Sequence, residues 1–324
     1  MSSKSTHTVP NTGDLILKLP SGRRIGYSLY GDLVSYKDEI VYLHGLPGSR
    51  IEARDLSRAA LSHKARLIAL DRPGYGLSTL HPGRTLSMYP TTDVLALLDH
   101  LGIKSCYVIG TSGGGPYALS CARHMDKARL KGVGVIAGLP PFSHALPFTP
   151  WNKKNNNVKH EQAQQKQRRV RERYMLRYLP NFTAQLSDSK YGALARHPDP
   201  EALRSRFREG LSKYKGIDEK IFNSEEYIST MSDVVRDVFR QGWKGYAEDG
   251  KILNRKWDFE LEDIECDNLL FVYGGRDNDT PPKLGRGMSK LIPGSRFAEY
   301  ADETHASLLR VKGTEIIGDL LRYG

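Results

Sequence analysis

Short, dense apolar runs punctuate this chain and alternate with longer stretches of helical period. Leu15–Leu19 and Ile25–Tyr30 flank Pro20-Ser21-Gly22 and predict a hairpin. Further runs follow at Ile40–Leu43, Leu67–Leu70, Tyr107–Ile109, Val133–Ala137 and Leu269–Tyr273. Each is compact and rich in β-branched or large apolar side chains, as strands buried on both faces should be. Arg296–Tyr300 is strand-like as well. Residues 49–63, 91–101 and 306–321 repeat apolar positions at helical spacing, and Gly102 supplies a stop after the second of them. Strand–helix alternation of this kind predicts an α/β fold, a mostly parallel sheet with helices on both faces.

The alternation breaks from about Pro140 to about Glu260, where the pattern is almost entirely helical and polar. The expected division is a loose polar arm at 1–13, a sheet core at 14–139 and 261–324, and a helical lid inserted at 140–260.

The 324 residues suffice for one large domain carrying such a lobe. No apolar run approaches the length that crosses a bilayer, and Met1–Thr6 lacks the apolar core of a secretory signal. Three cysteines, Cys106, Cys121 and Cys266, form no metal-type pair, and their odd number argues against a disulfide framework. A reducing, cytoplasmic setting is the expectation. The formal net charge of +11 raises the question of an anionic partner. The excess gathers in Lys153–Arg177 without an aromatic-basic module, so it reads as a solvated helix face, and no nucleic-acid partner is expected.

The candidate chemistry begins at Val108–Pro116, a β-branched run followed by Gly-x-Ser-x-Gly and a helical pattern. That order predicts a strand, a sharp turn and a helix, with Ser112 at the tip. Gly110 and Gly114 let strand and helix pass close together, and the turn presents the hydroxyl to solvent. A serine hydroxyl needs a base, and the base needs an orienting group. After the run Leu269–Tyr273 comes Gly274-Gly275-Arg276-Asp277-Asn278-Asp279-Thr280-Pro281, a loop at a strand's end. One further helix and strand lead to His305, which returns the chain to the same edge. The frame Gly-x-x-Asp-x-x-x-Pro favours Asp277 as the acid, with Asp279 as rival and Asp263, Asp267 and Asp302 as weaker candidates. Acyl transfer also needs two N–H donors for the oxyanion. The Gly113 amide, at a helix N-terminus, is one. The loop His44-Gly45-Leu46-Pro47-Gly48 offers the Leu46 amide as the other, since Pro47 has none. His44 reads as a brace for this loop. The turn Asp71–Ser78 lacks the third glycine and the lysine of a phosphate loop, and takes a structural role near the site's floor.

The set His44-Gly45-x-Pro47-Gly48, Asp71-Arg72-Pro73-Gly74-Tyr75-Gly76-x-Ser78, Gly110-x-Ser112-x-Gly114, Gly274-x-x-Asp277 and His305 resembles the α/β-hydrolase fold superfamily. It is most similar to the lidded esterase and epoxide-hydrolase-like branch. The resemblance implies an eight-stranded sheet, a Ser112–Asp277–His305 triad, the Leu46 and Gly113 oxyanion donors, and neither cofactor nor metal. Epoxide hydrolases and haloalkane dehalogenases of this fold carry an Asp nucleophile where this chain has Ser112. Proline iminopeptidases often carry Trp where it has Gly113. The leading expectation is a serine hydrolase of a small-to-medium ester, thioester or lactone, a small-molecule substrate. The alternatives on the same fold are a lyase, a cofactor-free cyclase or a ligand-binding receptor. Phe142, Phe148, Trp151, Trp243 and Tyr246 bracket the insertion and are candidates for an apolar pocket, against ordinary core packing.

Overall fold

A computed structural model describes residues 13–142, 173–214 and 216–324. Its strands are β1 (Leu15–Lys18), β2 (Arg24–Gly31), β3 (Asp38–Leu43), β4 (Ala65–Leu70), β5 (Cys106–Thr111), β6 (Leu130–Ile136), β7 (Leu269–Gly274) and β8 (Arg296–Tyr300). They make one eight-stranded sheet in the order β1-β2-β4-β3-β5-β6-β7-β8. The predicted hairpin is present, and β2 also runs antiparallel to β4; every other pairing is parallel. The central strands are fully buried, matching their unbroken apolar runs.

Two helical layers cover the two faces. On one, α1 (Ser57–Ser62) and α10 (Leu308–Leu321) bury Ala59, Ala60, Ile316, Ile317 and Leu320 against Ile40, Ile109 and Val272. On the other, α2 (Leu95–His100), α3 (Gly115–His124) and α9 (Pro282–Leu291) bury Leu97, Tyr117, Leu119 and Met288 against Val41, Val108 and Phe271. The alternating faces of each strand feed the two layers, as the period of two requires.

Two of the expected helices start differently. Residues 49–63 begin as a 3₁₀ segment, Arg50–Leu56, before α1, and residues 91–101 begin as a π turn, Pro90–Val94, before α2. The Ser49 hydroxyl caps the 3₁₀ segment, accepting the Ile51 N–H at 3.4 Å.

Between β6 and β7 the described chain is helical: α4 (Pro180–Ala195), α5 (Glu201–Leu211), α6 (Glu219–Phe222), α7 (Glu225–Val238) and α8 (Lys244–Leu253). These helices share a small core built from Leu176, Ala184, Leu203, Val234, Val238 and Tyr246. Two buried ion clusters fasten them to the sheet. Arg50 donates to Asp71 at 2.6 Å and also to Asp237 of α7. Arg72 donates to Asp249 of α8 at 2.7 Å, while Arg84 and the Tyr117 hydroxyl bind the second Asp249 oxygen, the latter at 2.7 Å. Burial alone would raise the Asp249 carboxyl; the paired guanidiniums outweigh it and hold the group below its usual value. Of the basic run, Arg173 and Arg177 turn inward, to the Pro140 carbonyl at 3.2 Å and the Asn254 carbonyl at 2.6 Å.

The Asp249 cluster yields a stability test. Asp249→Asn keeps the shape but leaves two buried guanidiniums without a counter-charge, so unfolding free energy should fall by about 3–5 kcal/mol. A urea titration reads this as a lower midpoint at an unchanged slope.

Candidate active site

Parallel strands bring their carboxyl ends to one edge, and the register fixes which residues emerge there. Leu43 lies opposite both Leu70 and Gly110, Gly110 opposite Val135, and Gly274 opposite Tyr300. The turns beginning at His44, Asp71, Ser112, Ala137, Gly275 and Ala301 therefore leave one rim. From β3 the chain goes to β4 on one side and β5 on the other. This is the switch point where open α/β sheets form a crevice. The His44–Leu46 turn packs directly against Ser112 and Gly113 there.

Ser112 has φ of +52°, a left-handed conformation that a side chain adopts only under constraint. The constraint is the glycine run behind it. A Cβ on Gly113 would lie 2.9 Å from Leu46 N; one on Gly114 would strike the Leu43 and His44 carbonyls; one on Gly115 would lie 2.7 Å from Gly138 Cα. Each of these glycines admits a different neighbouring backbone, so the first turn leading into α3 presses against β3, the His44 loop and the end of β6 together. The sequence pattern had assigned this role to Gly110 and Gly114; Gly110 does meet the Gly114 carbonyl.

The His44 turn is held from below. The Arg72 guanidinium, fully buried, donates to the His44 carbonyl and, at 2.7 Å, to the Gly45 carbonyl. His44 Nδ1 lies 3.0 Å from the Gly45 carbonyl, and its Nε2 accepts the Arg72 N–H at 3.1 Å. These two bonds need a neutral ring with its proton on Nδ1. Burial and the neighbouring Arg72 charge push the imidazole well below its usual range. His44 is thus a brace, as its position suggested. The Gly45 N–H goes to Glu52 Oε2 at 2.7 Å. Among the described residues the Leu46 N–H has no hydrogen-bond partner.

Across the crevice, His305 Nδ1 lies 2.7 Å from Asp277 Oδ2. Asp277 is buried and accepts the N–H groups of Asp279 at 2.7 Å and Thr280 at 2.9 Å, and the Thr280 hydroxyl at 2.8 Å. The rival Asp279 is half-buried in the same turn, while Asp302 is exposed and paired with Arg276. Asp263 and Asp267 are exposed. Among the described residues no hydrogen bond joins the Ser112 hydroxyl to His305, whose side chain is 26% exposed. Catalytic hydrogen bonds of this type often tighten only when a substrate excludes water. Asp277, Asp279 and His305 place ligand-type atoms within 4.8 Å of one another. The Asp277 oxygens are already engaged by four donors from its own loop and His305, a set suited to orienting an imidazole.

The predicted apolar candidates fare differently. Phe142 stands beside Tyr174, with ring centroids 5.4 Å apart, and under the Arg177 guanidinium at 4.2 Å. Trp243 is half-buried against the helical core together with Leu46. Tyr246 is buried inside that core. Phe148 and Trp151 lie outside the described residues. Two carboxyls near the site carry no recognisable motif: Glu52, behind Gly45, and Asp218, which accepts the Thr304 hydroxyl at 2.6 Å beside His305. The only sequence hint of Glu52 is its place one turn after Pro47-Gly48; Asp218 gives none.

A family model described as the alpha/beta hydrolase fold matches residues 39–310. The chain belongs to the α/β-hydrolase fold family. It is 23% identical to a proline iminopeptidase of Lactobacillus crispatus over 308 residues, covering 92% of this chain and 94% of that one. Over 106 residues, 32% of each chain, it is 35% identical to an sn-1-specific diacylglycerol lipase of Xenopus tropicalis. Among solved structures, an enol-lactonase from Burkholderia xenovorans superposes with a TM-score of 0.62 at 20% identity, covering 95% of this chain and 100% of that one. An esterase from Thermogutta terrifontis gives 0.61 at 19%, covering 96% and 98%. At these identities the superpositions speak to the fold. Among the described residues no helix is long and apolar enough to cross a membrane.

The neutral His44 makes a pH prediction. Its folded pKa lies below that of the unfolded chain, so the unfolded state binds the extra proton in acid. Its contribution to stability is intact above about pH 6.5 and falls by about 1.4 kcal/mol per pH unit below it. His44→Gln should flatten this part of the stability–pH curve, read as the wild-type minus variant difference in urea unfolding between pH 5 and 7.

Proposed function

We propose that the chain is a serine hydrolase that cleaves a small-to-medium carboxylic ester, thioester or lactone through an acyl-enzyme. The observation that carries this reading is the meeting of three elements on one sheet edge. They are a left-handed Ser112, a His305 bound to a buried Asp277, and an unclaimed Leu46 N–H against Gly113.

His305 takes the Ser112 proton as the hydroxyl oxygen attacks the carbonyl carbon. Asp277 holds the imidazole with Nδ1–H toward itself and stabilises the imidazolium that forms. Negative charge collects on the carbonyl oxygen, and the Leu46 and Gly113 N–H groups receive it. The imidazolium then protonates the leaving group, and water, activated by the same His305, releases the acid and restores Ser112. The substrate's arrival excludes water and closes the gap between His305 and the serine hydroxyl. Residues 140–260 act as the lid, and Phe142 and Trp243 are its candidates for an apolar pocket. The proline iminopeptidase match spans nearly the whole chain, so an aminoacyl amide belongs in the substrate panel. Unpaired Cys106, Cys121 and Cys266 fit a reducing compartment such as the cytosol.

The test is a p-nitrophenyl ester series of rising acyl length, run beside a lactone, a thioester and a proline anilide, with fluorophosphonate labelling followed by intact mass. Ser112→Ala should abolish labelling and lower kcat by about 10⁴-fold or more. Persistent hydrolysis in that variant overturns the acyl-enzyme reading, whereas wild-type labelling with no turnover of the panel points to the lyase, cyclase or receptor alternatives. A second arm separates the carboxylates: Asp277→Asn should lower kcat by about 10⁴-fold, and Asp279→Asn should have the smaller effect, because the His305 Nδ1 hydrogen bond goes to Asp277. The reverse order would assign the acid to Asp279.

A further inference from the structure

The Glu52 carboxyl lies half-buried beside the serine's loop, yet the proton relay does not use it. It projects from the 3₁₀ segment Arg50–Leu56, directly behind the His44 turn. Its Oε2 accepts the Gly45 N–H at 2.7 Å and the Tyr42 hydroxyl at 3.3 Å. A Cβ on Gly45 would lie 3.5 Å from each Glu52 oxygen and 3.6 Å from Ser112 Cβ. One glycine therefore separates this carboxyl from the nucleophile's side chain. The remaining polar backbone groups of the turn are fixed from elsewhere: Arg72 takes both the His44 and Gly45 carbonyls. Glu52 is the support on the amide side: it fixes the His44–Gly45 peptide, and so the Gly45 Cα from which the next peptide, held by its carbonyl through Arg72 and His44, presents the Leu46 N–H.

We propose that Glu52 is a positioning residue of the hydrolytic centre: as a neutral acid it holds the His44–Gly45 peptide, the unit that precedes and places the Leu46 N–H, and as a carboxylate it weakens the oxyanion site by putting negative charge behind it. This rests on the acyl-transfer reading above and adds a pH-dependent element to it.

The charged groups around Glu52 set where the change falls. Burial raises its carboxyl to about 7, against the pull of the Gly45 N–H and the Arg72 guanidinium, and Asp55 on its own segment adds to the rise. The Tyr42 hydroxyl, from β3, works in the opposite sense. The other ionised side chains packed here are paired elsewhere: Arg50 with Asp71 and Asp237, Arg54 with Asp233 of α7, and Asp55 with Arg310 of α10. Glu226 of α7 faces Asp55. Below neutrality Glu52 carries its proton and the oxyanion site is at full strength. Above it the charge develops and opposes an oxyanion. A general base gives the opposite dependence, so the two together make a bell. The descending limb belongs to Glu52.

A fluorophosphonate is the suitable probe, because its phosphoryl oxygen occupies the oxyanion position whatever the natural substrate. The maximal labelling rate and the half-saturating probe concentration are measured from pH 5.5 to 9 for wild type, Glu52→Gln and Glu52→Ala. Glu52→Gln keeps an acceptor for the Gly45 N–H and never ionises. It should label at pH 6 within about threefold of wild type, lose the descending limb, and exceed wild type by about 3–10-fold at pH 8.5. Glu52→Ala should lower the maximal rate by about 10–100-fold at every pH with half-saturation unchanged within about twofold. A Gln variant that keeps the wild-type descending limb overturns the proposal, as does a folded Ala variant with the wild-type rate. Should the Ala variant fail to fold, the Gln profile alone decides. Wild-type protein that never labels at Ser112 overturns the acyl-transfer reading itself, a result distinct from labelling whose pH profile ignores Glu52.

Discussion

The Arg72 guanidinium is shut off from water, and its partners come from three parts of the fold. It binds the His44 and Gly45 carbonyls after β3, Asp249 on α8, and lies 4.9 Å from the centre of the Tyr117 ring on α3. A buried guanidinium is tolerable only when every face is answered by a charge, a carbonyl or an aromatic surface. Once those answers are in place, the helices between β6 and β7, the loop after β3 and the helix after Ser112 have fixed relative positions. Asp249 extends the cluster to Arg84 and the Tyr117 hydroxyl, so the same carboxylate neutralises two cations.

Around this anchor, the turn that follows β3 is set by satisfying its backbone groups one at a time. Arg72 and His44 occupy the carbonyls, and Glu52 occupies the Gly45 N–H, while among the described residues the Leu46 N–H, beside Gly113, has no partner. On the hydrolase reading proposed above, a donor in that state is prepared for a charge that does not yet exist. This is the kind of preorganisation that stabilises a transition state without reorganising around it. The left-handed Ser112 belongs to the same logic. Its backbone strain is held by glycine contacts on three sides, so the hydroxyl's direction is decided by backbone packing.

The two ion clusters, Arg50–Asp71–Asp237 and Arg72–Asp249–Arg84, sit under different helices of the β6–β7 segment. Both are buried, and separating either would strand charge in a low-dielectric interior. Movement of these helices over the site is therefore constrained at α7 and α8. Asp218, tied to Thr304 next to His305, adds a contact on the opposite side of the crevice. The helices are thus tied both to the turn after β3, through Arg72, and to the loop that carries His305.

The apolar runs determined the strands, because a strand buried on both faces cannot hide its composition. The motifs of Gly110–Gly114, Gly274–Asp277 and His305 determined which residues leave the carboxyl edge. The antiparallel placement of β2 beside β4 was not legible, since pairing depends on which edge remains open after the parallel strands form. Nor were the 3₁₀ start of residues 49–63, or the contact of Gly113 and Gly115 with two different loops. The choice of Asp277 over Asp279 as the partner of His305 turned on a loop geometry in which one carboxylate faces inward and collects the loop's N–H donors. Glu52 and Asp249 were invisible for a further reason. A buried carboxyl takes its meaning from its partners, and those of Asp249 lie 177, 165 and 132 residues away along the chain. Local spacing records strands, turns and candidate nucleophiles, because those depend on neighbours in sequence. Which charges are buried together, and which amide is left unpaired, was decided only when the tertiary structure brought distant segments into one low-dielectric space.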